Sequence, residues 1–300
     1  MKRQAWLLLA AMSVLWGIPY LFIKVALVDL PPVAVAFGRT VVAVAVLLPI
    51  AVRARALAPL RGRWGAVSLL AIVHVVAPQL LITYGELHVS SGLTALLLAV
   101  QPLAIAALAL RVDPAERTDR RKLLGLLAGL VGVAAAVGFD LGGGTGSQLL
   151  GAGLVLLAGI SYALATTLVK KRLADVPSLG VVTGTTGIAT ALLAPLAVVT
   201  APTRLPGASA VGAVLVLGLL STAAAFLLYY RLIALAGSGT AGLVSYTSPA
   251  VAVLLGVLLL GEPMHASTLA GFALILGGSW LATRPAAPRQ PALRAAATTS

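Results

Sequence analysis

Arg39 interrupts an apolar run, Pro32 to Val52, that is otherwise free of charge. In a helix it would stand roughly 10 Å from the start of that run. A guanidinium so placed costs several kcal/mol unless it meets a partner or a water-filled space. Its planar fork suits a carboxylate or phosphate, gripped by two bonds at once. The structural alternative is packing against helix-end carbonyls, or reaching outward along its own stem. His74 lies near the middle of a second run, Trp64–Tyr84. An imidazole titrates at about 6.5 and could carry a coupled proton; it could equally stay neutral, bonded to a neighbouring helix. Gln79 follows Pro78, and Gln101 precedes Pro102. Proline frees the carbonyl four residues earlier. An amide beside such a break can line a polar cavity, or simply bond another helix for about 0.6 kcal/mol. Tyr246, between Ser245 and Thr247, precedes Pro249 in the same way. Trp16, Tyr20 and Tyr162, with Thr166, supply aromatic and hydroxyl walls. The expected binding side chains are therefore Trp16, Tyr20, Arg39, His74, Gln79, Gln101, Tyr162 and Tyr246. All but Tyr20 form the main lining of one expected central cavity.

These residues need elements to hold them, and composition names the solvent. Hydrophobic residues make up 60% of the chain and charged ones 10%, against about 25% charged in a soluble domain. The mean hydropathy is +1.06. This is an all-α integral membrane protein by composition. The net charge of +13 sits between apolar runs, where anionic lipid headgroups explain it and nucleic acid is not needed. There is no cysteine, and the three histidines lie in separate segments. No metal site and no cofactor are expected.

The runs give ten expected crossings: about Ala5–Ile23, Pro32–Val52, Trp64–Tyr84, Ser91–Leu110 and Leu123–Phe139, then Leu149–Val169, Leu179–Thr200, Val211–Tyr230, Ala241–Leu260 and Ser267–Ala282. Gly142-Gly143-Gly144 separates the two sets of five. The tail 285–300 has no apolar face and reads as a disordered cytoplasmic segment.

The two sets match each other. Ser91, Gly92, Leu96 and Pro102 fall on Ser238, Gly239, Leu243 and Pro249 at a shift of 147. Glu116, Leu123, Gly125, Leu130 and Gly132 fall on Glu262, Leu269, Gly271, Leu276 and Gly278 at 146. Lys24, Leu27, Asp29 and Pro31 meet Lys170, Leu173, Asp175 and Pro177, again at 146. Matches among leucines come cheaply in such a chain; those of proline, lysine and acids do not. An internal duplication is expected, with repeats at 5–139 and 149–282. With the N-terminus cytoplasmic, 18 basic residues fall on inner segments and two, Lys24 and Arg204, on outer ones. Both termini are thus expected inside. Five crossings per repeat is odd, so the second repeat is inverted.

The residues also carry a family resemblance. Trp16-Gly17 and Lys24, then LPPVAVAFGRT through Arg39, open the first half. SYALATTLVKKRL and LLYYRLIALAGSGTAGLVSYTSPAVAVLLGVLLLGEPM fill the second. The chain resembles EamA-type transporters of the drug/metabolite transporter superfamily over nearly its whole length. It departs from them where the fourth crossing ends in LRVDPAER rather than Leu-Gly-Glu, and an irregular helix end is expected there. The resemblance implies ten helices, two EamA repeats and transport of small metabolites, often by export. It also implies arginine at position 39 across differing substrates, which favours a structural role for it.

The expected function is a secondary transporter of the cytoplasmic membrane, moving amino acids or related compounds outward by alternating access. A multidrug or cationic-compound exporter of the same fold is the alternative. An intramembrane enzyme would need a nucleophilic or paired-acid constellation, and no HExxH or acid pair lies in a crossing. A non-transporting membrane subunit would not explain an inverted duplication with polar residues at depth. The partners expected are a small-molecule substrate and the lipid bilayer, with proton coupling through His74 as an option and no nucleic acid. The glycine-bearing fifth and tenth crossings are expected to be scaffold or subunit interface, the latter making a homodimer.

Overall fold

The computed structural model describes residues 3–112, 120–140, 146–263 and 266–283. The tail at 285–300 and the segment 113–119, which holds most of the expected irregular end and Glu116, lie outside them. Helices α1 (Arg3–Gly17) and α2 (Pro19–Ala26) form one rod, and α3 (Pro32–Arg53) returns. Helices α4 (Trp64–Ala71) and α5 (Ala77–Gly85) are joined by a π turn at Ile72–Val76. Next come α6 (Ser91–Leu98) and α7 (Gln101–Val112), parted at Ala99-Val100, then α8 (Arg120–Asp140). Helices α9 (Gly146–Arg172) and α10 (Ser178–Val199) follow. Helices α11 (Ala208–Gly218) and α12 (Ala225–Gly242) flank a second π turn, Leu219–Ala224. The chain ends in α13 (Val244–Leu260) and α14 (Ala266–Thr283).

Among the described residues, eight helical spans are long and apolar enough to cross a membrane, and Thr268–Ala282 is a shorter apolar helix. Large aliphatic side chains face outward, among them Leu130, Leu258 and Leu259, each more than 60% exposed. Thr40, Gln79, Thr83, Glu86, Ser221 and Thr222 are buried. Apolar outside and polar inside is the arrangement that lipid dictates and water forbids.

Polar contacts between elements gather at two ends of the bundle. At one, Lys24 donates to the Glu86 carbonyl, Asp29 accepts from the Gly207 N–H at 2.9 Å, and Glu262 reaches Ser91. At the other, Arg63 grips both oxygens of Asp175 at 2.5 and 2.8 Å. That pair is exposed, and its hydrogen bond holds the Asp175 carboxyl below the usual carboxylate range. As a surface pair it fixes loop geometry more than it adds stability.

Local features recur about 146 residues apart. The interval Pro32–Arg53 becomes Ser178–Val199, both with an internal proline, Pro49 and Pro195. The π turns at 72–76 and 219–224 stand at nearly the same shift. Helices α8 and α14 pack antiparallel on each other. A Cβ added at Gly125 would come within 2.6 Å of the Gly278 carbonyl oxygen, and one at Gly132 within 2.7 Å of that of Gly271. Backbones that close admit only glycine, and this is where the two helices meet.

Candidate functional site

The site is built where α3 presses on α11. A Cβ at Gly218 would stand 2.4 Å from the Val42 Cβ and 2.9 Å from the Arg39 carbonyl oxygen. Only glycine allows this approach, which sets the π turn 219–224 beside Arg39. The wider turn lets Thr222 Oγ1 donate to the Leu217 carbonyl at 2.9 Å, five residues back. The same oxygen accepts from Arg39 Nε, also at 2.9 Å. Arg39 is half-buried, and its two terminal nitrogens have no hydrogen-bond partner among the described residues. Ser221, next in the turn, has a buried hydroxyl with no partner among the described residues. The result is a guanidinium held by one edge, with its two-pronged edge free for an anion.

The first π turn mirrors this device. It places His74 edge-on to Tyr162 of α9, ring centres 5.6 Å apart. The Ser161 hydroxyl donates to the Val73 carbonyl at 2.7 Å, tying α9 to the turn. Tyr162 and Tyr20 pack against one core that includes Ile23, Ile82, Leu97, Val155 and Leu217. Tyr20 lies within electrostatic reach of Tyr162, Glu86 and Arg39. Four expected residues, Tyr20, Arg39, His74 and Tyr162, thus form one connected group.

The other four stand differently. Trp16 belongs to a second cluster, with Tyr229 at 4.7 Å and Phe226 at 6.1 Å between ring centres. Gly17 beside it packs so tightly on α13 that a Cβ would meet Val251 at 2.8 Å. Gln79 is buried, and its side-chain oxygen has no partner among the described residues. Gln101 is half-buried just past the break at Ala99-Val100, and Tyr246 is half-buried just past the one at Leu243. Among the described residues, neither glutamine side chain hydrogen-bonds the Arg39 group. Beside Tyr246, the Thr247 hydroxyl meets Ser13 at 2.5 Å and links α13 to α1.

A separate small cleft opens at the Glu262 end, lined by Ser90, Gly92, Leu93, Val253, Val257 and Glu262. Here the Glu262 carboxylate accepts from the Ser91 N–H at 2.7 Å, and from the Ser91 hydroxyl and Gly92 N–H at 3.0 Å each. Those N–H groups open α6 and have no partner within the helix. Sequence reasoning missed Thr222, Ser221 and Glu86. Ser221-Thr222 within a long apolar run and an acid directly after Gly85 were the available signals.

Comparison with known proteins places this architecture. The sequence model of the EamA-like transporter family matches the chain twice, over residues 4–138 and 149–284. An uncharacterized transporter of Archaeoglobus fulgidus is 24% identical over 287 residues, covering 94% of this chain and 99% of its own. The uncharacterized inner membrane transporter YedA of Escherichia coli is 28% identical over 262 residues, covering 85% and 83%. A solved crystal structure superposes with a TM-score of 0.66 at 23% identity, covering 94% of this chain and 97% of that one, and shares the fold.

Proposed function

Because this chain belongs to the EamA-like transporter family, and is a membrane transporter, we propose that it moves small carboxylate-bearing metabolites, amino acids or their relatives, by alternating access. The observation carrying this reading is Arg39. Its Nε is fixed by Thr222, and its free edge stands in a group formed with Tyr20 and Tyr162. A carboxylate bound there gains two charge-assisted bonds from a donor already oriented. Export across the cytoplasmic membrane is the direction the proposal takes. The test is purified protein in liposomes, screened with labelled amino acids, nucleosides and cationic drugs. Uptake of none of them sinks the reading.

A cationic substrate is the second reading, and one observation favours it. Trp16, Tyr229 and Phe226 form an aromatic cluster of the kind that receives a desolvated cation.

The mechanism rests on two inverted five-helix repeats, ten crossings in all, and residue pairs support it. Gly125 meets Gly278 while Gly132 meets Gly271, so homologous positions exchange partners. Gly38 meets Val214 while Gly184 meets Val67, the same exchange at the shift of 146 to 147. Asp29 binds the loop at Gly207, and Asp175 binds the loop at Arg63. Reciprocal contacts of this sort follow from a two-fold axis.

In this reading the Arg63 end is cytoplasmic and the Glu262 end external. The chain lacks cysteine, so single cysteines report topology directly. Leu60, a natural choice in the loop after α3, is fully buried; Ala58 and Ala201 are exposed. An impermeant thiol reagent added to intact cells is expected to label Ala201→Cys and spare Ala58→Cys. The reverse pattern would invert the assignment.

A further inference from the structure

Glu86 is 1% exposed, at the end of α5, one residue beyond the span Trp64–Gly85. Neither carboxylate oxygen has a hydrogen-bond partner among the described residues. A carboxylate left so would have lost its hydration with nothing in return, at a cost of many kcal/mol. From α2, Lys24 spends its bond on the Glu86 backbone carbonyl and leaves the carboxyl unbonded, while Tyr20 lies below it. From beyond α13, Glu262 brings a second acid, already committed to the start of α6. Helix α9 meets this end with Gly151 and Val155, against Gly85. His88 follows two residues on, half-buried. Burial pushes the Glu86 carboxyl well above the ordinary carboxylate range; Lys24 opposes the shift and Glu262 adds to it.

We propose that Glu86 is a proton-binding site of this transporter, holding a proton while the Glu262 end is closed and yielding it to external water when that end opens. The O–H bond of the carboxylic acid breaks, the proton passes to water, and the carboxylate left behind is stabilised by Lys24 and by entering solvent. Separation of Glu86 from Glu262 would favour the same release. The neighbouring Tyr20 also lies within electrostatic reach of Arg39, so the charge on Glu86 is felt where the substrate is proposed to bind. The opening step rests on the carrier reading above; the protonation itself does not.

The chain has three glutamates, Glu86, Glu116 and Glu262, so labelling with carbon-13 glutamate isolates few carboxyls for infrared spectroscopy. Purified full-length protein in lipid nanodiscs at neutral pH is expected to show a labelled protonated-carboxyl band. Glu86→Gln is expected to remove it. Glu86→Asp, whose labelled carboxyl is gone, serves as second variant should the glutamine protein fail to fold. A wild-type spectrum without the band, or a band that survives both substitutions at position 86, overturns the proposal. In liposomes, with a compound the wild type transports, Glu86→Gln is expected to keep exchange at equal pH and lose the response to a pH gradient. A retained gradient response, or one lost only in His74→Gln, overturns it as well. If the wild type moves no compound, the carrier reading fails, and the band still decides whether Glu86 holds a proton.

Discussion

Arg39→Ala is expected to reduce transport of a carboxylate-bearing substrate by on the order of 100-fold, while the protein still folds in the membrane. The factor corresponds to about 3 kcal/mol at 1.4 kcal/mol per tenfold, the scale of a desolvated charge-assisted pair. Folding is spared because Thr222 keeps its own bond to the Leu217 carbonyl when the guanidinium leaves. Only an acceptor lone pair of the hydroxyl is left empty. Arg39→Lys is expected to fall between, since an ammonium retains charge but not the fork that Thr222 holds by one edge. The cationic reading predicts the opposite ranking: Trp16→Ala would be the damaging change and Arg39→Ala the mild one. Initial rates in liposomes, alongside size-exclusion profiles of each variant, separate these outcomes. Normal rates for Arg39→Ala would remove that residue from the pathway.

The parts legible in the sequence were those fixed by one-dimensional constraints. Span length follows from bilayer thickness, so the apolar runs marked helices that the structure contains, such as Pro32–Arg53 and Ser178–Val199. Rare residues at a constant shift marked the two stretches that the family model matches, because proline, lysine and acids seldom coincide by chance in an alanine- and leucine-rich chain. Glycine spacing marked α8 and α14 each as a close-packing helix, and the structure shows that they pack on each other, at Gly125, Gly132, Gly271 and Gly278.

What escaped depends on contacts between distant segments. A threonine in an apolar run usually returns its hydroxyl to its own helix, as Thr83, Thr166 and Thr185 do here. Thr222 does this too, yet also takes the Arg39 bond, because a π turn faces it toward α3. Nothing in the run of apolar residues announces that turn. Glu86 looked like the first residue of a loop, and loops are ordinarily wet. Its burial accompanies the close Gly85–Gly151 approach, with Lys24 bonded to its backbone carbonyl.

Glu262→Ala is expected to lower stability by about 2 kcal/mol and to shift the bundle toward opening at the Glu262 end. The first N–H groups of a helix have no partner within it, and Glu262 satisfies those of Ser91 and Gly92 from another segment. Its placement is specific. Gly261 ends α13 in the left-handed region at φ 64°, turning the chain back, and the Glu262 N–H then bonds the Gly256 carbonyl at 3.1 Å. Gly256 leaves the carboxylate room, since a Cβ there would stand 2.5 Å from Oε2. Removing the carboxylate orphans two donors in a half-buried site, where each costs about 1 kcal/mol even with some water reaching it. Ser90 still caps the Leu93 N–H, so α6 itself persists. The joint between α6 and α13 is what weakens. Glu262→Gln keeps one accepting oxygen and is expected to lose about half as much. In the proposed alternating-access cycle this joint parts, so its loss should raise the open population. Val253 lines the cleft and is partly covered. A cysteine there is expected to react several-fold faster with an external impermeant reagent in the Glu262→Ala background than in Glu262→Gln. Equal labelling in both, with unchanged thermal midpoints, would mean that the three hydrogen bonds do not hold the end closed.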